Sequence, residues 1–277
     1  MEKQPTAITP LFFYSVECAD RLLRLRNRRA TETKSSAAWE AKYASIVAQN
    51  NPGFIVISEA PAAYESDDYK NPRGAVNDSS TNQRFNQRVS EFFGDRKPLN
   101  VLDLGCAGGG MVRSFLEQGN FAIGLEGSDA PKKFQLWEWR FIPKHLFTCD
   151  ITKPWTVKRG DGTPLLFDLI TAWEVMEHIP ESKLEGLLNN ILNSLSSGGV
   201  FVCSIDFLPD GNPLRNAVYH QTVKPYTWWE NLFISKGFDV LKDHPFAVSD
   251  FVRGNGLSIK DWHPADGTGA HFVLRKP

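Results

Sequence analysis

Residues Leu99 to Asp129 read LNVLDLGCAGGGMVRSFLEQGNFAIGLEGSD. The run Asn100–Leu104 has the composition of a short buried strand. Gly105 to Gly110 is a glycine-rich turn, Met111 to Gln118 follows with helical character, and Gly119 stops it. A second strand, Phe121 to Leu125, delivers the carboxylate of Glu126. Strand, glycine turn, helix, strand and acid form the βαβ unit that holds an adenosine-containing cofactor.

Each part has a physical task. The chain turns sharply from strand to helix while its backbone approaches a ligand, and glycine permits both. Glu126 accepts from two ribose hydroxyls at once. Asp103 lies at the carboxyl end of the first strand, where open α/β sheets bind ligands, and its carboxylate suits a cationic or amino-bearing group. A nicotinamide dinucleotide site requires G-x-G-x-x-G. Here Gly105, Ala107 and Gly110 give G-x-A-x-x-G, and the acid two residues before the first glycine is foreign to that fingerprint.

Asp103-Leu-Gly-Cys-Ala-Gly-Gly109 instead resembles motif I of the class I S-adenosylmethionine-dependent methyltransferases, D-x-G-x-G-x-G, with Ala107 in place of the middle glycine. The resemblance covers roughly residues 85 to 245. It implies S-adenosyl-L-methionine as cofactor, contacted by Asp103, Gly105, Ala107 and Gly109 and by Glu126, Gly127 and Ser128. It also implies that Asp150, after a third strand at Leu146–Cys149, meets the exocyclic amine of adenine, with the backbone of Ile151 on the ring.

Outward from this unit the pattern stays α/β. Leu165–Ala172 and Val200–Ile205 read as buried strands and Lys183–Leu195 as a helix stopped by Ser196-Ser-Gly-Gly199. Ala130–Trp139 and Trp228–Lys236 read as helices, and Phe238–Leu241 and His271–Leu274 as last strands. The alternation predicts a doubly wound sheet. The resemblance makes it Rossmann-like, mostly parallel and seven-stranded, with an antiparallel final pair. Before it come a basic helix at Glu17–Ala30, a helix at Ser36–Gln49, a strand at Gly53–Ser58, a polar loop at Glu59–Ser80 and a helix at Thr81–Phe93. We therefore expect an N-terminal helical extension over residues 1–80, covering cofactor or substrate, and a methyltransferase domain over residues 81–277. By resemblance, Tyr69–Arg84 is a lid. Ala247–Gly269 is a long glycine-rich loop, of a kind uncommon unless functional.

The acceptor side is read from two segments. Trp173-Glu-Val-Met-Glu-His-Ile-Pro180 follows the fourth strand and resembles the E-V-L-E-H-I signature of small-molecule O-methyltransferases acting on quinone precursors and sugars. His178 is a candidate base near neutral pH, and Glu174 is expected to face the cofactor or the first turn of the following helix. Some relatives of the signature bind magnesium there, so a divalent cation held by Glu174, Glu177 and His178 is a second expectation, although three neighbours do not close such a site alone. The other segment, Val218 to Trp229, places His220 after the fifth strand, where loops carry acceptor contacts, with Tyr219, Lys224 and Trp228 as a wall. His178 and His220 are the candidate catalytic residues.

Composition narrows the partners. Of 277 residues 42% are hydrophobic and 23% charged, so a sizeable core is available. A net charge of −1 gives no global attraction to nucleic acid or membrane. No N-P-P-[YF] tetrapeptide follows the fourth strand and no Pro-Cys pair exists, which argues against base methylation. No apolar run reaches the ~18 residues of a membrane span. The four cysteines are widely spaced without a C-x-x-C pair, which fits a reducing, cytoplasmic setting. The expected activity is methyl transfer to a hydroxyl of a small molecule or carbohydrate. A protein- or nucleic-acid-directed enzyme and a non-catalytic S-adenosylmethionine-binding protein are the alternatives. Oligomeric state is not readable from the sequence.

Overall fold

The computed structural model describes residues 53–94, 98–247, 250 and 268–277, with Ala41, Ala44 and Arg96 besides. The chain divides into two units, Met1–Ser45 and Ile46–Pro277; of the described residues only Ala41 and Ala44 belong to the first. Ala41 and Ala44 are helical, inside the helix expected over Ser36–Gln49. The rest of that helix, the basic helix at Glu17–Ala30 and most of the loop at 247–269 lie outside the described residues.

A seven-stranded sheet organises the second unit. Its strands are β2 (Asn100–Leu104), β3 (Phe121–Glu126), β4 (Leu146–Thr148), β6 (Phe167–Trp173), β7 (Leu195–Asp206), β10 (Asp239–Val240) and β11 (Gly269–Arg275). They run in the order β10-β11-β7-β6-β2-β3-β4, and β8 (Gly211–Asn212) and β9 (Ala217–Val218) form a separate antiparallel pair. β4, β3, β2, β6 and β7 are mutually parallel, whereas β11 pairs antiparallel with β7 and β10 antiparallel with β11. This is the mostly parallel, doubly wound sheet expected from the sequence. Strand order reverses beside β2: β3 lies on one side and β6 on the other. Such a switch point leaves a crevice at the carboxyl edge.

The inner strands are apolar on both faces because both are covered. In β2, Leu102 and Leu104 join a buried cluster with Leu184, Leu187, Leu188 and Ile191 of α6 (Glu181–Ser194) and with Trp229 and Phe233 of α7 (Tyr226–Ser235). The i, i+3, i+4, i+7 spacing on α6 turns one stripe onto the sheet. Period-two alternation sends Val101 and Asp103 to the opposite face. α3 (Gln83–Phe93), capped by the Asn82 side chain on the Phe85 amide, buries Phe85 and Val89. α4 (Gly110–Glu117) packs against β2 and β3. Among the described residues, no helix is long and apolar enough to cross a membrane.

Four local readings change. The polar stretch 59–80 contains two short helices, α1 (Asp67–Lys70) and α2 (Arg73–Asn77). The single helix expected at Ala130–Trp139 is α5 (Ala130–Lys133) followed by a 3-10 turn at Trp137–Arg140. Gln135 and Trp137 take left-handed φ of 50° between them, and the two indoles that follow bond elsewhere. Trp137 Nε1 donates to the Val76 carbonyl at 3.0 Å and Trp139 Nε1 to the Ala107 carbonyl at 2.8 Å. Those bonds replace the helical register. β1 (Phe54–Ser58) pairs antiparallel with β5 (Trp155–Arg159), a strand the sequence reading lacked. Finally, β7 starts at Leu195, ahead of Gly198 and Gly199 rather than after them.

Candidate functional site

The carboxyl edge of the sheet collects the predicted residues. Gly105 leaves β2 with φ +65, and a Cβ there would come within 2.4 Å of Val175 Cγ2. Its amide donates to the Leu125 carbonyl at 2.8 Å, so the turn folds back over β3. Gly109, with φ +90, starts α4. Ala107 also takes a left-handed φ, 44°.

Glu126 locks this turn. Its Oε2 accepts from the Ala107 amide at 2.8 Å and its Oε1 from the Ser128 amide at 2.9 Å. Burial raises its pKa, and the amide bonds from Ser128 and Ala107 act against that rise. Gly127 is tied through its carbonyl to the Ala63 amide at 2.9 Å, and Ser128 Oγ accepts from the Ala130 amide at 3.2 Å. Asp103 is 4% exposed. Burial pushes its pKa up to about 7, Thr171 opposes this by donating its hydroxyl to Oδ1 at 2.6 Å, and the charges of Asp78 and Glu126 add to it.

Asp150 follows β4. Its Oδ1 accepts from the Thr152 amide at 3.0 Å and the Thr152 hydroxyl at 2.7 Å, and its own amide donates to the Ala60 carbonyl. Ile151 is buried beside it, and its carbonyl accepts from Asn190 Nδ2 and Trp155 Nε1. Glu174 leaves β6 with φ 52° and donates its amide to Ser204 Oγ at 3.0 Å.

Residues 60–80 lie over this edge. Beyond the bonds to Ala60 and Ala63, the Asp78 carbonyl accepts from the Gly108 amide at 2.8 Å. Tyr69 donates its hydroxyl to Asp129 Oδ2 at 3.1 Å. A Cβ at Gly110 would come within 2.2 Å of the Ser79 carbonyl oxygen. The glycine at 110 therefore makes room for this covering segment.

On the other side of the crevice, the 3-10 turn Met176–His178 and the loop after β7 converge. The rings of His178 and His220 sit 4.8 Å apart at 75°. His178 Nδ1 meets Asp68 Oδ2 of α1 at 2.9 Å. Burial alone would lower the His178 pKa, but the bond and charge of Asp68, with Glu177 and Asp210, raise it to about 9. Glu177 is fully buried. Its Oε1 accepts from the Asp206 amide at 2.9 Å, and burial raises its pKa to about 8 against the opposing effects of His178 and that amide. Glu177, His178 and His220 each bring a donor atom within 4.8 Å of the others. Glu174 is not a member of this set; His220, 42 positions beyond His178, takes the place expected for it. Lys224 pairs with Glu181 at 2.9 Å and lies over Trp228, so both stand at the start of α7, while Tyr219 is buried. Sequence reasoning missed Asp67, Asp68 and Thr171. The strand register of β6 against β2 was the available signal for Thr171, whereas two acids in a polar stretch carry none.

A family model described as "Methyltransferase domain" matches residues 78–242, and the chain belongs to that family. It is similar to the ubiquinone biosynthesis O-methyltransferase of Pectobacterium atrosepticum, at 27% identity over 99 residues. That stretch is 36% of this chain and 38% of the relative, so the likeness spans well under half of either. Among solved structures it is similar to the N-methyltransferase NodS from Bradyrhizobium japonicum WM9 in complex with S-adenosyl-L-homocysteine. There the TM-score is 0.45 at 18% identity, covering 76% of this chain and 98% of the other. A SAM-bound amino pentose methyltransferase from Micromonospora echinaspora gives a TM-score of 0.46 at 14% identity, covering 76% and 96%.

Proposed function

We propose that this methyltransferase-family chain transfers a methyl group from S-adenosyl-L-methionine to a hydroxyl of a small molecule or carbohydrate. The observation that carries the reading is the placement of Glu126 and Asp103 on either side of the glycine turn, at the switch point of the sheet. Glu126 is held for the ribose hydroxyls, Asp103 for the cationic amino end, and Asp150 with Ile151 for the adenine. Gly105, Ala107, Gly109, Gly127 and Ser128 supply backbone. The covering segment is bonded beside them, Ala60 to Asp150 and Ala63 to Gly127.

Bound S-adenosyl-L-methionine supplies an electrophilic methyl carbon on a sulfonium. The protein's work is alignment, since proximity and orientation supply up to about 7–11 kcal/mol. An alcohol also needs its proton taken. His220 fits that role: its Nδ1 lies against the Leu208 carbonyl, which only accepts, so in the neutral ring Nε2 carries the lone pair. An acceptor hydroxyl aligned with that methyl carbon would give its proton to His220 Nε2. His178, fixed by Asp68, holds the acceptor oxygen. A divalent ion is the other way to acidify that hydroxyl, and the two imidazoles with Glu177 have donor types that fit one.

Two measurements test the reading. Calorimetry is expected to show binding of S-adenosyl-L-methionine or its demethylated product and none of NAD; binding of NAD alone overturns it. A screen of hydroxyl and amine acceptors with labelled cofactor, with and without chelator, is expected to label hydroxyls. Labelling confined to amines overturns the acceptor assignment.

A further inference from the structure

Asp103 is buried without a counter-charge from the chain. Its carboxylate is 4% exposed, and Thr171 serves it with a neutral hydroxyl at 2.6 Å. Among the described residues no cation pairs with it, and the charges that act on it, those of Asp78 and Glu126, are both negative. Glu126 turns its two oxygens to the Ala107 and Ser128 amides, so backbone donors meet its charge. Asp78 comes from the covering segment, directly after α2. Its carbonyl accepts from the Gly108 amide at 2.8 Å, and a Cβ at Gly108 would come within 2.5 Å of that oxygen. The next two residues press on the same turn, with the Ser79 and Ser80 carbonyl oxygens 2.2 Å and 2.6 Å from where a Gly110 Cβ would lie. The Asp78 side chain is half-buried and held: Oδ1 accepts from the Ser80 amide at 2.8 Å and from the Ser80 hydroxyl, which leaves Oδ2 without a bond among the described residues. The cover thus carries a fixed carboxylate onto the glycine turn, within reach of a second, buried one. Two such charges disfavour each other unless a cation stands with them.

We propose that Asp78 is a second cofactor-binding carboxylate, which holds the ammonium group at the amino-acid end of S-adenosyl-L-methionine together with Asp103. The inference deepens the cofactor side of the methyl-transfer reading and rests on it. Recognition of the ammonium group is shared between the sheet, through Asp103, and the cover, through Asp78. In the ligand-free chain the two carboxylates repel. An ammonium group has several N–H donors, so it serves both at once and gives each a charge-assisted bond. The competing explanation is that Asp78 only closes a turn with Ser80. A turn residue has no preference for one ligand over another, so its replacement weakens every ligand of the site alike.

The test uses the full chain and two ligands, S-adenosyl-L-homocysteine and its deamino analogue, which keeps the carboxylate and lacks only the amino group. Calorimetry is expected to show that wild type prefers the first. Asp78→Asn retains an oxygen for the Ser80 donors and is expected to lower that preference by about tenfold, the low end for a bond to a charged group. The loss is expected on S-adenosyl-L-homocysteine, while the deamino analogue binds the variant as well as it binds wild type, or better, because one carboxylate facing its own is gone. A further readout needs no variant. At saturation, S-adenosyl-L-homocysteine is expected to protect residues 59–80 of wild type from limited proteolysis more than the deamino analogue does, so a variant that fails to fold does not spare the proposal. Equal weakening of both ligands by Asp78→Asn, equal wild-type affinity for the two, or equal protection at saturation each overturns it. The failures are distinguishable. Wild type that binds S-adenosyl-L-homocysteine with any of those outcomes sinks this inference alone, and wild type that binds neither ligand sinks the methyl-transfer reading and this inference with it.

Discussion

Thr171 donates its hydroxyl to Asp103 at 2.6 Å, side chain to side chain, from the strand paired in register beside it. That bond is the main force keeping a fully buried carboxylate from rising further than a pKa of about 7. The folded value lies above the ~3.9 of an unfolded aspartate, so the folded chain holds the proton more tightly. The resulting stability is complete below the unfolded pKa and is lost as pH rises through about 7. The melting temperature of the ligand-free protein is therefore expected to fall between pH 5 and pH 7. Thr171→Val removes the opposing bond and is expected to move the end of that fall to higher pH. A flat profile, identical in the two proteins, contradicts the assignment. With S-adenosyl-L-methionine, whose amino end needs the carboxylate ionised, binding near pH 6 is expected to release up to about one proton. Calorimetry in two buffers of different ionisation enthalpy measures it.

Glu126 uses both oxygens on the backbone, Ala107 on one side and Ser128 on the other. Glutamine is therefore no conservative replacement, because its amide nitrogen must face one of two N–H donors. Each buried bond left unmade costs about 1–3 kcal/mol. Both Glu126→Gln and Glu126→Ala are expected to lower the melting temperature and to weaken cofactor binding by at least about tenfold. Full affinity in Glu126→Gln removes Glu126 from the cofactor site.

Two glycines separate room for the cover from mere chain flexibility. At Gly110 a Cβ would lie 2.2 Å from the Ser79 carbonyl oxygen and 2.6 Å from that of Ser80. At Gly74, in α2, nothing lies within 4 Å. Gly110→Ala must displace backbone, at a cost of about 1–3 kcal/mol, and is expected to expose residues 59–80 to limited proteolysis. Gly74→Ala is expected to leave the cleavage rate unchanged or slower, since alanine suits a helix better. Equal rates in the two variants contradict the close approach of the cover to the turn.

What was legible in the sequence was local. The glycine turn announces itself because only a few residues tolerate its backbone, and α6 announces itself because Leu184, Leu187, Leu188 and Ile191 repeat at one helical face. β5 was harder: Trp155 and Val157 alternate with Thr156 and Lys158, yet five residues are too few to declare a strand without knowing that β1, a hundred positions earlier, pairs with it. The helix expected at Ala130–Trp139 broke for a tertiary reason, since Trp137 and Trp139 bond to Val76 and Ala107. The meeting of Asp68 with His178 has no local signature. It depends on where α1 is carried by β1 and by the bonds of Ala60 and Ala63.

Ala107 stands where the resembled motif has its middle glycine, and it takes the glycine's conformation anyway, with φ 44°. A Cβ in this region costs roughly 1–2 kcal/mol. The surroundings hold it there: its amide donates to Glu126 and its carbonyl accepts from Trp139 Nε1 at 2.8 Å. Relief of that strain outweighs the extra unfolded-state freedom of glycine, which is worth about 0.4–1 kcal/mol. Ala107→Gly is thus expected to stabilise the fold by about 0.5–1 kcal/mol, a rise of a few degrees in melting temperature for a domain of this size. Because neither backbone bond is lost, cofactor affinity is expected to hold or improve. A lower melting temperature means that the alanine methyl makes contacts worth more than the strain. Weaker cofactor binding at an unchanged melting temperature means that the methyl itself touches the ligand.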